Sequence, residues 1–156
     1  MAKHTIKLKK YVDIINEYVA AAIVTPGYLL ELTSAGKVQH HSSAGGNAPK
    51  YIALEDELQG RAITDNYAAA DPVQVWMAVP GEEAYMMLAD GETTVIGSLL
   101  ESAGDGTLQV HVADVDSSAD ITFIYPLQIV AQALEVVDMS DSSTADPSGR
   151  VKVRFV

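Results

Sequence analysis

The chain has 156 residues, 48% of them hydrophobic and 20% charged, with no cysteine and a formal net charge of −11 at pH 7. A chain of that length buries roughly two-thirds of its unfolded surface and folds without a staple. The missing thiols exclude disulfides, thiolate metal sites and cysteine nucleophiles.

The charge is laid out unevenly. Every Lys and Arg lies before Ala62 or after Gly149, and most of the acids lie between. The first ten residues carry Lys3, Lys7, Lys9 and Lys10 and no acid, and the last seven carry Arg150, Lys152 and Arg154. An acidic body is repelled by phosphates, so no nucleic-acid partner is expected. The apolar stretch 19–24 is too short for a signal peptide or a membrane span, so no membrane partner is expected and synthesis in the cytoplasm is.

In chain order, residues 6–10 roughly alternate apolar and basic side chains and form a strand once they have a partner. Residues 12–16 read as a short helix or turn, followed by a strand into Val24. Pro26-Gly27 is a turn, because Pro fixes φ and Gly accepts positive φ. Strands are expected at 28–33 and 38–41, joined by a tight turn at 34–37. After the Gly45-Gly46 loop, 51–54 is a short buried strand. Residues 73–79 alternate around Trp76 as far as Pro80-Gly81, and 84–88 form another strand. A segment at 93–100 leads into the turn Gly104-Asp105-Gly106, and 107–115 alternate well. Residues 121–125 and 127–137 are strand-rich, 138–148 form a Ser/Asp-rich loop, and 151–156 end the chain as a half-exposed strand. Most prolines sit at strand ends; Pro126 should mark an edge or a bulge, since it cannot donate to a ladder. Short strands between Gly, Pro and Asp turns predict a mainly β fold. That fold is a small β-barrel or sandwich over 20–156, an extended arm over 1–19 and at most one or two short helices.

No catalytic or metal constellation stands out. Asp114, Asp116, Ser118 and Asp120 have calcium-loop spacing, but Ala119 and Tyr125 occupy the positions that need Gly and a bidentate Glu. His40 and His41 point to opposite faces of a strand and read as a solvated strand end, and His111 reads as solvent-facing. Glu55, Asp56 and Glu57 read as a solvated turn. No Ser sits in a G-x-S-x-G elbow. Trp76, Met77, Met86 and Met87 read as core. No cofactor and no enzymatic activity are expected.

The series Pro26-Gly27-Tyr28-Leu29-Leu30-Glu31-Leu32, Ser43-Ala44-Gly45-Gly46, Tyr51-Ile52-Ala53-Leu54-Glu55, Ile96-Gly97-Ser98-Leu99-Leu100-Glu101, Gly104-Asp105-Gly106, Ala133-Leu134-Glu135 and Arg150-Val151-Lys152-Val153 resembles the head decoration, or capsid cement, proteins of tailed bacteriophages. The resemblance spans roughly 20–156. It implies a small β-tulip-like body with an N-terminal arm lying on the capsid, and a non-enzymatic virion protein on the outside of the mature head. Such a protein sits as a homotrimer at three-fold or quasi-three-fold positions and ties major capsid protein subunits together. The charge pattern then selects Lys3, Ile6, Lys7, Leu8, Lys9, Lys10 and Tyr11 as the capsid-binding arm, with Arg150, Lys152 and Arg154 as a possible second contact. The other readings are a tail or head-fibre module and a carbohydrate-binding β domain.

Overall fold

A computed structural model describes residues 4–9, 12–112, 127–140 and 149–156. Its strands in chain order are β1 (Lys7–Lys9), β2 (Ile15–Val19), β3 (Leu29–Leu32), β4 (Val38–His40), β5 (Tyr51–Ala53), β6 (Pro72–Met77), β7 (Glu83–Met87), β8 (Thr93–Thr94), β9 (Leu99–Ser102), β10 (Leu108–Val110), β11 (Ala131–Ala133), β12 (Val137–Asp138) and β13 (Arg150–Phe155). A single 3₁₀ turn, Glu57–Gln59, is the helical element among the described residues. The chain is therefore mainly β, as its turn spacing predicts. Gly27 sits at φ +90 in the predicted Pro-Gly turn, which the Tyr28 N–H closes by donating to the Thr25 carbonyl at 3.0 Å.

One sheet has the order β2-β6-β5-β3-β4 and the other β1-β7-β13-β11-β9-β10, with β8 and β12 as a separate pair. All the named strand pairs are antiparallel. Each sheet curls until the residue just after β2 or β7 meets the strand at the far edge, β4 or β10, through one parallel bridge: Ala20 with Val38, and Leu88 with Leu108. One bridge is not a ladder, so neither sheet closes into the barrel that the sequence suggested. The alternation of side chains decides the packing. Leu30, Ala53, Val73 and Val75 point into a small core with Val24, Val38 and Tyr67. Their neighbours Leu29, Ile52 and Trp76 point the other way, into the main core with Leu100, Leu108, Val151, Val153 and Phe155 of the second sheet. Trp76 meets Phe155 edge to face, with ring centroids 5.7 Å apart.

The two sheets are copies of one design. Setting β1 aside, β2-β6-β5-β3-β4 maps onto β7-β13-β11-β9-β10, strand for strand in the same chain order. The sequence carries the same signal. Gly27, Leu29, Leu30, Glu31, Gly36, Gln39 and His41 recur at a constant offset as Gly97, Leu99, Leu100, Glu101, Gly106, Gln109 and His111. The registers agree: Glu31 pairs with Gln39, and Glu101 with Gln109. Farther along, Leu54 N–H donates to the Gln74 carbonyl as Leu134 N–H donates to that of Lys152.

Several expectations are corrected. Residues 15–19 form a strand rather than following a helix, because Ile15 and Tyr18 each cover a different core and β6 supplies the ladder. Residues 6–9 do not stand away from the body. Ile6 is fully buried in the main core, and β1 pairs with β7. The closing strand is central rather than half-exposed, since β13 lies between β7 and β11 with Val151, Val153 and Phe155 buried. The segment 93–100 holds β8, a turn at Gly97 (φ +96) and the start of β9, and the strand-rich stretch 127–137 contains β11 and the start of β12 with a gap between. The calcium-spaced residues, Pro126 and the strand expected at 121–125 lie outside the described residues.

Candidate functional site

The sheet order brings the two basic ends of the chain together. Strands β1 and β13 flank β7, so Lys9 and Arg154 stand opposite the same residue, Glu83. Arg154 donates to Glu83 Oε1 through Nη2 at 2.8 Å and Nε at 3.3 Å, and Lys152 Nζ lies 3.2 Å from Oε2. Those bonds from Arg154, with the neighbouring Lys152 and the charges of both, hold the Glu83 carboxyl below its ordinary value of 4.5 against the opposing effect of burial. Lys9 and Arg154 are exposed and Lys152 is half-exposed. Two cations on one carboxylate, with Lys9 in register across from Glu83 on the other side of β7, make a basic face on an otherwise acidic molecule, and that face suits an anionic partner surface.

The sequence-predicted contact residues separate into groups. Lys7, Leu8 and Lys9 lie on the edge strand; Lys7 pairs with Asp13 at 3.3 Å. Ile6 faces inward and its N–H donates to both oxygens of Glu55, at 3.0 and 3.1 Å. Lys3, Lys10 and Tyr11 lie outside the described residues. Arg150 is 2% exposed and donates to the Pro26 and Ile63 carbonyls at 2.6 Å each, so it clamps two loops and offers nothing to a partner. Burial pulls its pKa down, with Glu55 opposing. Arg150 therefore leaves the predicted second contact, and Lys152 and Arg154 remain.

Two polar clusters escaped the sequence reading. His41 is 2% exposed rather than solvated. Its Nδ1 lies 2.8 Å from Ser102 Oγ, its Nε2 2.8 Å from the Asn47 carbonyl, and Glu31 stands 4.0 Å away. Gly104 N–H also donates to Ser102 Oγ, so Ser102 ties a histidine to a turn. Ser102 is fully buried, and no substrate reaches it. In the second repeat His111 Nδ1 lies 2.6 Å from Glu101, which also accepts from Gln109 and Gln128. His111 is thus anchored rather than simply solvated. The signal that could have found both clusters is the repeated Glu, Gln and His at matching positions of the two hairpins. Glu55 and Asp56 are buried too, contrary to the solvated-turn reading, because Glu55 receives the Ile6 amide and Asp56 caps the 3₁₀ turn. Among the described residues no three His, Asp or Glu side chains converge as a metal site.

A cleft of about 320 Å³ lies between β1 and β2, lined by Lys7, Asp13, Ile15, Glu55, Leu58 and Gln74 among others. A smaller one of about 140 Å³ lies by Tyr67 and Arg61. The Tyr67 hydroxyl donates to the Leu54 carbonyl at 2.8 Å, and burial pushes its pKa up to about 12.

The chain matches no family model, and no curated protein matches it. Among solved structures it is similar to the N base of the head fibre protein gp8.5 of bacteriophage phi29. The two are 13% identical, the match covers 93% of this chain and 95% of that one, and the TM-score is 0.56. Similarity of that kind, at so low an identity, establishes a shared mainly β fold over nearly the whole of both chains.

Proposed function

We propose that this chain is a non-enzymatic structural protein of a phage virion. In this reading it binds the outside of the mature head as a trimer at three-fold or quasi-three-fold positions and ties major capsid protein subunits together. The observation that carries the reading is the fold shared with a head fibre base over 93% of the chain. The basic face around Glu83 supports it: Lys9, Lys152 and Arg154 form a compact cationic contact, while the acidic remainder keeps neighbouring copies apart on a crowded shell. A trimer multiplies a weak single contact by effective concentration.

The test mixes the purified protein with expanded heads, unexpanded heads and tails, followed by sedimentation and negative-stain imaging, with solution mass measured alongside. Co-sedimentation with expanded heads by a trimer, weakened by salt and by Lys9→Glu, is the expected result. Failure to bind heads at low salt overturns the proposal. The same structural likeness favours a second reading, the base of a head fibre. Imaging separates the two, because a decoration protein leaves compact knobs on the shell whereas a base carries a projecting fibre.

A further inference from the structure

The duplication exposes an asymmetry. In the second repeat the outer edge of β7 is covered by β1, with Tyr85 N–H donating to the Ile6 carbonyl at 2.9 Å. The equivalent edge in the first repeat is that of β2. Tyr85 stands opposite Lys152, and Glu17 stands opposite Gln74, the residue that Lys152 matches. Glu17 is therefore the counterpart of Tyr85. Met77 N–H donates to the Ile14 carbonyl and Ala20 N–H to that of Asp71, so alternation along an antiparallel pair turns the backbone groups of Ile15, Glu17 and Val19 away from β6. Among the described residues no strand ladder pairs with that side of β2; a single parallel bridge, Ala20 with Val38 of β4, engages its Val19 end and leaves the stretch at Ile15 and Glu17 open.

We infer that the outer edge of β2 is a docking site for an extended, lysine-bearing strand of a protein partner, taken up by main-chain pairing as β7 takes up β1. The chain itself supplies the template. Its seated strand reads Ile6-Lys7-Leu8-Lys9, alternating apolar and basic. The empty edge has matching chemistry. Val12, Ile14 and Val19 are each more than 40% exposed, and Leu58, at the rim of the adjoining cleft, is 90% exposed. Asp13, Glu17 and Glu57 set the local sign negative, with Lys7 offsetting one of them. A second copy of β2 fits less well, because full-length antiparallel self-pairing puts Glu17 opposite Glu17, and like charges directly opposite destabilise a sheet. Glu17 is the single charge that guards the edge, and it is one that a lysine-bearing strand would neutralise. Natural sheets blunt a free edge with Lys, Pro or a bulge; β1 carries lysines and a register shift, whereas β2 carries neither Lys nor Pro. This inference goes beyond the virion reading and stands whether or not that reading holds.

The test uses the full chain, isotope-labelled, titrated with a synthetic peptide of residues 5–10 of its own sequence to about millimolar concentration, the weak end for so short a strand. The expected result is saturable amide shifts at Ile15 and Glu17. Glu17→Pro removes an outward-facing N–H that the native ladder does not use, which edge strands tolerate, and it should abolish the shifts while the rest of the spectrum is kept. The same peptide N-methylated at alternate amides should lose binding to the unaltered protein, which keeps the test decisive if the proline variant fails to fold. The inference is overturned by no shifts at β2, by shifts centred on Tyr85 instead (the peptide having displaced β1), or by undiminished binding of the methylated peptide.

Discussion

Replacing Ile6 with Ala separates a seated strand from a detached arm. Ile6 is fully buried in the main core, between the edge of β7 and the carboxylate of Glu55. The substitution removes three carbons, about 2.4 kcal/mol at about 0.8 kcal/mol per buried methylene. The residual cavity raises the cost to about 3–4 kcal/mol, within the range seen for Ile→Ala in cores. The backbone N–H survives, so the bond to Glu55 is kept and the loss reports packing alone. In a domain whose total stability is about 5–15 kcal/mol, the variant stays folded. At about 2–4 °C per kcal/mol for this size, its melting temperature falls by about 6–16 °C. Urea and thermal denaturation measure this, with Leu8→Ala as the control. Leu8 is only partly buried, and its truncation should cost about 1 kcal/mol or less. If Ile6→Ala costs no more than Leu8→Ala, then β1 is peripheral, and the detached arm expected from the charge pattern returns.

Two further predictions follow from the repeat and from the basic face. Gly36 and Gly106 are equivalent turn residues with φ of +71 and +88, but a Cβ on Gly36 meets nothing within 4 Å, whereas one on Gly106 meets the Tyr28 ring and His40 Cβ at 2.8 Å. Gly36→Ala should therefore cost about 1–2 kcal/mol for the left-handed backbone and Gly106→Ala about 2–5 kcal/mol with overpacking added; equal urea midpoints would refute the packing difference. Glu83 has its folded pKa depressed, so its contribution is present in full above the ordinary 4.5 and is lost as pH falls through the lower folded value. Stability measured against pH should fall less steeply on the acid side in Glu83→Gln than in the parent protein, and an unchanged acid slope would remove Glu83 from that role.

How much of the candidate site was legible depends on the range of the interaction. The lysines and arginines were visible as two basic ends, but their convergence on Glu83 was not, since it needs β1 and β13 to flank one strand. Arg150 looked like a second contact because its neighbours alternate apolar and basic. Its burial depends on the Pro26 and Ile63 carbonyls, which lie far away in the chain. Glu55 and His41 looked solvated for the same reason, as their partners Ile6 and Ser102 are distant in sequence. The duplication, by contrast, is written in the chain. Leu29-Leu30-Glu31 and Leu99-Leu100-Glu101 share their spacing to a later Gly, Gln and His. A reading confined to windows of one strand and one turn does not compare segments so far apart.

By itself, the sequence determined what is local. Gly and Pro place the turns, alternation between them makes strands, and the result is a mainly β chain with an acidic body and basic ends. These follow from backbone sterics and a period of two, which act over a few residues. Tertiary structure alone decided which strand lies beside which. Pairing across a sheet spends the same backbone hydrogen bonds whoever the neighbour is, so no short segment encodes its partner. That choice seated Ile6 in the core, drew Lys152 and Arg154 onto Glu83 with Lys9 in register across from it, covered the edge of β7 and, among the described residues, left most of the matching edge of β2 open.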